Sequence, residues 1–194
     1  MYFYNFIIIY LAISISNGFL FKDPPLNKSG ELNAESKDSL IKYFNTNKTN
    51  RRLTYKSFTR LFNSFKWLHG MEDSDIDKLF TDEVKNKKGL MNLNKFLKQS
   101  TKCIKITESL YKLRYNNSLN EEKKMTLNEL KKVLVVKELD ITEELVTTLI
   151  TDYKFTNEQD ISMEEFRKTF VSIMYNQIYT IPVKIALQEM RRII

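Results

Sequence analysis

Glycine and proline are scarce in this 194-residue chain, four and three respectively. A sandwich or barrel needs turn residues at almost every strand end, so this poverty excludes such folds and leaves helices to dominate. Neither a G-x-G-x-x-G nor a G-x-x-x-x-G-K-[ST] run occurs, which removes the glycine-loop nucleotide binders. One histidine and one cysteine cannot furnish a zinc site or a Cys-His nucleophile pair. No paired carboxylates sit at the spacing of an acid-base couple, and the chain reads as non-enzymatic. Cys103 has no partner for an internal disulfide, so stability has to come from packing. What is present is 42% apolar and 12% aromatic residues, enough to build cores in one domain or two small lobes.

Residues 1–18 carry no charged side chain, and Phe6 to Ile15 is an almost unbroken apolar run followed by Ser16, Asn17 and Gly18. The run is well short of the ~20 residues that span a bilayer. It reads as a signal peptide, 1–18, which places the protein outside the cell or in the secretory-pathway lumen. Met1 to Asn5 offers only the terminal amine as positive charge, and anchoring by an uncleaved N-terminal segment is the alternative. Residues 19–35 are expected to form a flexible N-terminal segment. Three glycosylation triplets, Asn27-Lys-Ser29, Asn47-Lys-Thr49 and Asn116-Asn-Ser118, fall in that segment or in expected loops.

Net charge is +7 and unevenly spread: residues 36–103 carry 15 basic and 7 acidic side chains, residues 104–175 carry 11 and 13. A basic half suits acidic or phosphate-bearing partners. The charges are nonetheless scattered, with no arginine and aromatic cluster to mark a groove, so they read as a solvated surface and not as a nucleic-acid site.

One short pattern occurs four times, an apolar residue, then Thr, Asn or Ser, three further positions, and a large apolar residue. The copies are Leu53-Thr-Tyr-Lys-Ser-Phe58, Met91-Asn-Leu-Asn-Lys-Phe96, Met125-Thr-Leu-Asn-Glu-Leu130 and Ile161-Ser-Met-Glu-Glu-Phe166. Their starts lie 38, 34 and 36 residues apart, a near-constant period that means one repeated supersecondary unit. Helical spacing flanks each copy. Leu40, Ile41 and Phe44 enter the first and Phe58, Leu61, Phe62 and Phe65 leave it. Ile76, Leu79 and Phe80 enter the second behind Asp73, Ser74 and Asp75. Leu110, Tyr111 and Leu113 enter the third, and Leu145, Leu149 and Ile150 the fourth behind Thr142, Glu143 and Glu144.

Helix, polar loop and helix in this arrangement resemble the EF-hand; Met125 to Phe166 can be laid along the pattern of calmodulin-like four-hand proteins without a gap, and the resemblance covers about 36–176. The resemblance implies an all-α fold of two lobes, hands 36–103 and 104–176, with loops paired through two-residue β contacts and a C-terminal helix in 177–194. It also implies calcium loops with oxygen ligands at positions 1, 3, 5, 7, 9 and 12 and glycine at 6. Most fail that test. The fourth loop has Lys154, Thr156, Glu158, Asp160, Ser162 and Glu165 in the ligand positions, with Gln159 at the glycine position. The second has Val84, Asn86, Lys88 and Lys95 at positions 1, 3, 5 and 12, although Gly89 should keep the turn. The first, from Asn45, needs an extra residue, carries Arg51 and Arg52 and ends in Ser57. The third retains Ser118, Asn120, Glu122, the Lys124 carbonyl, Thr126 and Glu129, weakened by Lys123 and Lys124. The expectation is therefore no cofactor, or one weakly held calcium there.

The resemblance further implies an apolar groove for an amphipathic partner helix. Its residues are Phe58, Leu61, Phe62, Phe96 and Leu97 in one lobe and Leu130, Val133, Leu134, Phe166, Phe170 and Met174 in the other. The tail carries Ile178, Ile181, Val183, Ile185, Leu187, Met190, Ile193 and Ile194, with Pro182 opening a helix that bears Arg191 and Arg192. Docking of that helix into the chain's own groove is favoured over projection to a partner or membrane. Trp67, with His69 nearby, reads as a packing residue between hands. The expected function is a secreted or lumenal interaction or regulatory module, with a weak calcium sensor or buffer as the alternative.

Overall fold

The computed structural model describes residues 19–135, 141–157 and 159–175. The expected signal peptide, the C-terminal helix and Glu158 lie outside the described residues, as do the side chains of Leu145 and Leu149. The chain is mostly helical, and among the described residues no helix is long and apolar enough to cross a membrane. The helices are α1 (Ala34–Asn47), α2 (Tyr55–Ser64), α3 (Lys66–His69), α4 (Asp73–Val84), α5 (Leu93–Asn117), α6 (Leu127–Leu134), α7 (Glu143–Ile150) and α8 (Met163–Tyr175). Two strands, β1 (Leu53–Thr54) and β2 (Leu90–Met91), pair antiparallel with Leu53 opposite Met91 and Thr54 opposite Leu90.

Helix boundaries follow capping chemistry. The Asn33 side chain accepts the Ser36 N–H at 2.8 Å to start α1, and the Asp75 carboxylate accepts the Glu72 N–H at 3.1 Å to start α4. Such bonds satisfy N–H groups that the first helical turn leaves without a partner. Gly70, at φ +64°, ends α3 in the left-handed conformation that a glycine adopts without steric cost.

Two compact units result, 19–110 and 111–175 among the described residues. The division falls inside α5, beyond the expected boundary between 103 and 104. Nothing between Leu93 and Asn117 breaks a helix, since the stretch contains neither glycine nor proline. The expected apolar face of this helix is corrected too. Tyr111 is buried, but Leu110 and Leu113 are exposed, Leu113 by 54%. The buried face instead runs through Cys103, Thr107 and Tyr111, spaced four apart, so the phase set by the leucines was wrong.

The first unit has an aromatic core. Phe58 stacks on Phe62 at 4.2 Å and meets Phe80 edge-on at 5.3 Å, while Phe96 packs with Tyr43 and Phe44 at 6.0 and 5.6 Å. In the second unit Tyr111 meets Phe170 edge-on at 5.4 Å and Tyr115 tilts on Phe166 at 5.6 Å. The Arg114 guanidinium lies over Phe170 and that of Arg167 over Tyr111, a favourable cation–π arrangement on an apolar face.

Parts of the segment 19–35, expected to be flexible, are packed. Phe19, Leu20 and Phe21 are buried, Leu26 bridges Leu32, and Asn33 binds the chain before it through Pro24 and Pro25 carbonyls at 2.8 and 2.9 Å.

Candidate functional site

All four copies of the repeat sit where a loop enters a helix. Their eight apolar ends, Leu53 and Phe58, Met91 and Phe96, Met125 and Leu130, Ile161 and Phe166, are fully buried. The apolar residue before the cap and the one four positions into the helix form a hydrophobic staple, which fixes the angle at which the chain enters. In three of the copies the polar residue between them works as a cap: Thr54 and Asn92 accept the N–H of Ser57 and Lys95, at 3.2 and 3.0 Å, and Ser162 Oγ accepts that of Glu165 at 3.3 Å. Ser162 donates to Glu165, whose carboxylate also accepts the Ser162 N–H at 2.8 Å. The staple residues also tie loops together. Leu53 faces Met91 across the β1–β2 pair, and in the other unit the Ile161 N–H donates to the Met125 carbonyl at 2.8 Å.

Every group of the candidate calcium site in the third loop is engaged within the chain. Ser118 Oγ donates to the Arg114 carbonyl at 2.8 Å. Asn120 Oδ1 accepts the Lys124 N–H at 2.9 Å, and the Lys124 carbonyl accepts the Asn120 N–H at 2.9 Å. Glu122 pairs with the Lys124 ammonium at 3.0 Å, which pushes the lysine's pKa up. The Thr126 hydroxyl donates to Glu129 and, with Lys132 nearby, holds its carboxyl below the usual range. Lys123, at the glycine position, takes φ +63°, so the loop keeps the left-handed turn at a cost that glycine would not incur.

The second loop departs from expectation. Gly89 is not in the left-handed region; Lys85, at φ +67°, makes that turn as α4 ends. Gly89 is required by proximity, because a Cβ there would stand 2.3 Å from Val84 Cγ1 and 3.2 Å from the Val84 carbonyl. Lys95, in the position that a ligand carboxylate takes in a calcium loop, directs its ammonium back to the Glu83 carbonyl. Glu83 is otherwise held by Lys98 at 2.7 Å and Gln99 at 2.7 Å, and Lys98 lowers its pKa. A side-chain cation thus sits at the carboxyl end of α4, where the helix dipole favours positive charge. Among the described residues no group of three or more His, Cys, Asp or Glu is arranged to hold a metal ion.

Of the expected groove residues, Phe58, Leu61, Phe62, Phe96, Leu130, Leu134, Phe166, Phe170 and Met174 are buried, and Leu97 and Val133 are half-buried. In the first unit the surface around Phe62 is covered by Phe19, whose ring lies 5.1 Å from that of Phe62 and 5.7 Å from that of Phe65. Sequence reading missed this contact, although three consecutive large apolar residues in an otherwise polar leader were its visible signal. It also missed His69 as a polar core group. The ring is 1% exposed, with Nε2 2.9 Å from the Phe62 carbonyl and Nδ1 accepting the Met71 N–H at 3.0 Å. A separate recess of about 460 Å³ in the first unit is lined by Lys37, Lys98 and Lys105 with Glu31, Asn94 and Thr101.

No family model, curated protein or solved structure matches the chain. The functional reading therefore rests on the residues alone.

Proposed function

We propose that the chain is a four-fold helix-loop-helix protein of EF-hand type whose loops are held by their own side chains, and that it works as a protein-interaction or regulatory module for amphipathic helices. The single observation that carries this reading is the burial of all eight staple residues together with the loop pairing through Leu53–Met91 and Met125–Ile161. Pairing of that kind makes two short helix hairpins into one lobe without asking an ion to organise them. The third loop supports the same reading, because its oxygens already have partners and two lysines stand beside its two acidic groups. The uncharged apolar stretch within residues 1–18 supports a secretory-pathway location for the module, with anchoring by an uncleaved N-terminal segment as the alternative.

Titration calorimetry of the purified protein with calcium, a magnesium control and the Glu129→Gln variant tests the reading. Silence, with helical circular dichroism unchanged by chelator, is the expected result. Saturable heat at sub-millimolar calcium that disappears in Glu129→Gln overturns metal independence and makes the third loop a weak sensor site.

A further inference from the structure

The recess of the first unit has two walls. One is a single face of α5, where Asn94, Lys98, Thr101 and Lys105 follow at the three- and four-residue steps that align side chains on a helix. The other is the turn before α1, which its own bonds hold in shape. Asn27 Oδ1 accepts the Ser29 and Glu31 N–H groups at 3.0 Å each, and Gly30, at φ +76°, donates to the Asn27 carbonyl at 2.9 Å. The Lys105 ammonium reaches across, 3.6 Å from where a Cβ on Gly30 would stand. Lys37 adds a second cation near the amino end of the 14-residue α1, where the helix dipole already favours an anion. Charge here is unevenly matched. Lys98 is held by Glu83 at 2.7 Å, whereas Lys37 and Lys105 take part in no ion pair among the described residues. The one carboxylate of the recess, Glu31, accepts the Ser29 hydroxyl at 3.3 Å. The half-buried Leu32 and Leu97 supply an apolar part.

We propose that this recess binds a small phosphorylated polyol, with Lys37 and Lys105 on its phosphate groups and Glu31, Asn94 and Thr101 on its hydroxyls. Its volume of about 460 Å³ is that of a small-molecule site. Lysine ammonium groups give charge-assisted hydrogen bonds to phosphate oxygens, and two cations from different elements suit a ligand with more than one phosphate. Glu31 counts against a bare polyanion but accepts from a hydroxyl. Thr101 does so too, because its own proton is given to the Leu97 carbonyl at 2.8 Å and its lone pairs remain. The Asn94 amide both donates and accepts, and the two leucines match the C–H face of a polyol ring. A free polyol phosphate and the headgroup of a phosphorylated inositol lipid share this chemistry. The site lies apart from the staples and the loop pairing, so it stands or falls independently of the interaction-module reading.

The test is titration calorimetry of the full chain with an inositol trisphosphate at about 0.15 M salt, where long-range charge effects are screened. Unphosphorylated inositol and citrate are the comparison probes. The variant Lys37→Gln/Lys105→Gln removes the two recess cations, and Lys56→Gln/Lys78→Gln removes two exposed lysines of the same unit outside the recess, with circular dichroism as the folding control. The expected result is saturable one-to-one binding of the trisphosphate, at least tenfold weaker in Lys37→Gln/Lys105→Gln and unchanged in Lys56→Gln/Lys78→Gln. No saturation up to about 1 mM, equal losses in the two variants, or citrate binding as tightly as the trisphosphate overturns the proposal. Flotation with phosphatidylcholine vesicles, with and without a phosphatidylinositol bisphosphate, separates the sources. Flotation that needs both this lipid and the Lys37/Lys105 pair, beside trisphosphate binding, supports the site with a lipid headgroup as its ligand; trisphosphate binding without flotation supports it with a free polyol phosphate. Flotation without trisphosphate binding overturns the recess in favour of a diffuse surface attraction.

Discussion

Acidification should destabilise the first unit through His69. The Met71 N–H points at Nδ1, so that nitrogen must be an acceptor, and the neutral ring donates from Nε2 to the Phe62 carbonyl. Protonation places a second donor against the Met71 N–H in a site with 1% exposure. Burial is the main cause that drives the imidazole pKa below 6.5; the Phe62 carbonyl works the other way, and the nearby Lys66 charge lowers it further. In the unfolded chain the ring titrates at its ordinary value, about 6.5. Above that pH both states are neutral and the folded state keeps its full stability. Below it the unfolded state takes up a proton that the folded state refuses, and stability falls by about 1.4 kcal/mol per pH unit until the folded pKa is reached. The carboxylates whose pKa values are depressed, among them Asp77, Glu83 and Glu129, act at lower pH, so between about pH 5 and 6.5 the histidine dominates. Urea unfolding followed by Trp67 fluorescence at pH 7.5, 6.5 and 5.5 should show this loss. The His69→Asn variant, which offers Oδ1 to the Met71 N–H without titrating, should be weaker at pH 7.5 by roughly 1–2 kcal/mol but flat across the same range. Equal slopes in the two proteins would refute the reasoning, as would an imidazole pKa at or above 6.5 measured by NMR in the folded chain.

Lys95→Met should cost about 1–2 kcal/mol in urea unfolding, the worth of a charged donor to a carbonyl, and added calcium should not restore it. Gly89→Ala should cost roughly 1–3 kcal/mol by crowding against Val84, and most of the loss should return in Gly89→Ala/Val84→Ala, measured as a double-mutant cycle. Lys123→Gly should raise stability by about 1 kcal/mol because the residue already sits at φ +63°; a fall in thermal midpoint argues against it. Cys103 is buried, and burial pushes its thiol pKa up to about 12, so a thiol-titrating disulfide reagent should react only on unfolding.

Helix positions and loop ends were legible because they obey local rules. The repeat Leu53 to Phe58 and its three copies could be read as loop-to-helix junctions within six residues each, and all eight apolar ends are core. The phase of α5 was not legible. Leucines at 110 and 113 outnumber the polar-looking Thr107 in any hydropathy count, yet Thr107 is buried and donates to the Cys103 carbonyl at 3.1 Å. A helix can bury a hydroxyl that bonds its own backbone, and that option is invisible to an apolar pattern. At the candidate site the identity of each loop residue was readable, but not its partner. That Lys95 turns back to α4, that His69 accepts from the Met71 N–H, and that residues 19–21 cover Phe62 are facts of tertiary proximity. Glycine spacing misled for a related reason: Gly89 serves a close approach to Val84 and not a left-handed turn.

The ammonium of Lys95 at the end of α4 has a temporal consequence. An ion held by a loop comes and goes with its concentration, and a protein that depends on one reports the history of its surroundings. A charge carried on a side chain has no dissociation rate and is delivered once, at synthesis. The contact between Lys95 and the Glu83 carbonyl therefore forms with the fold itself, whatever ions the solution holds.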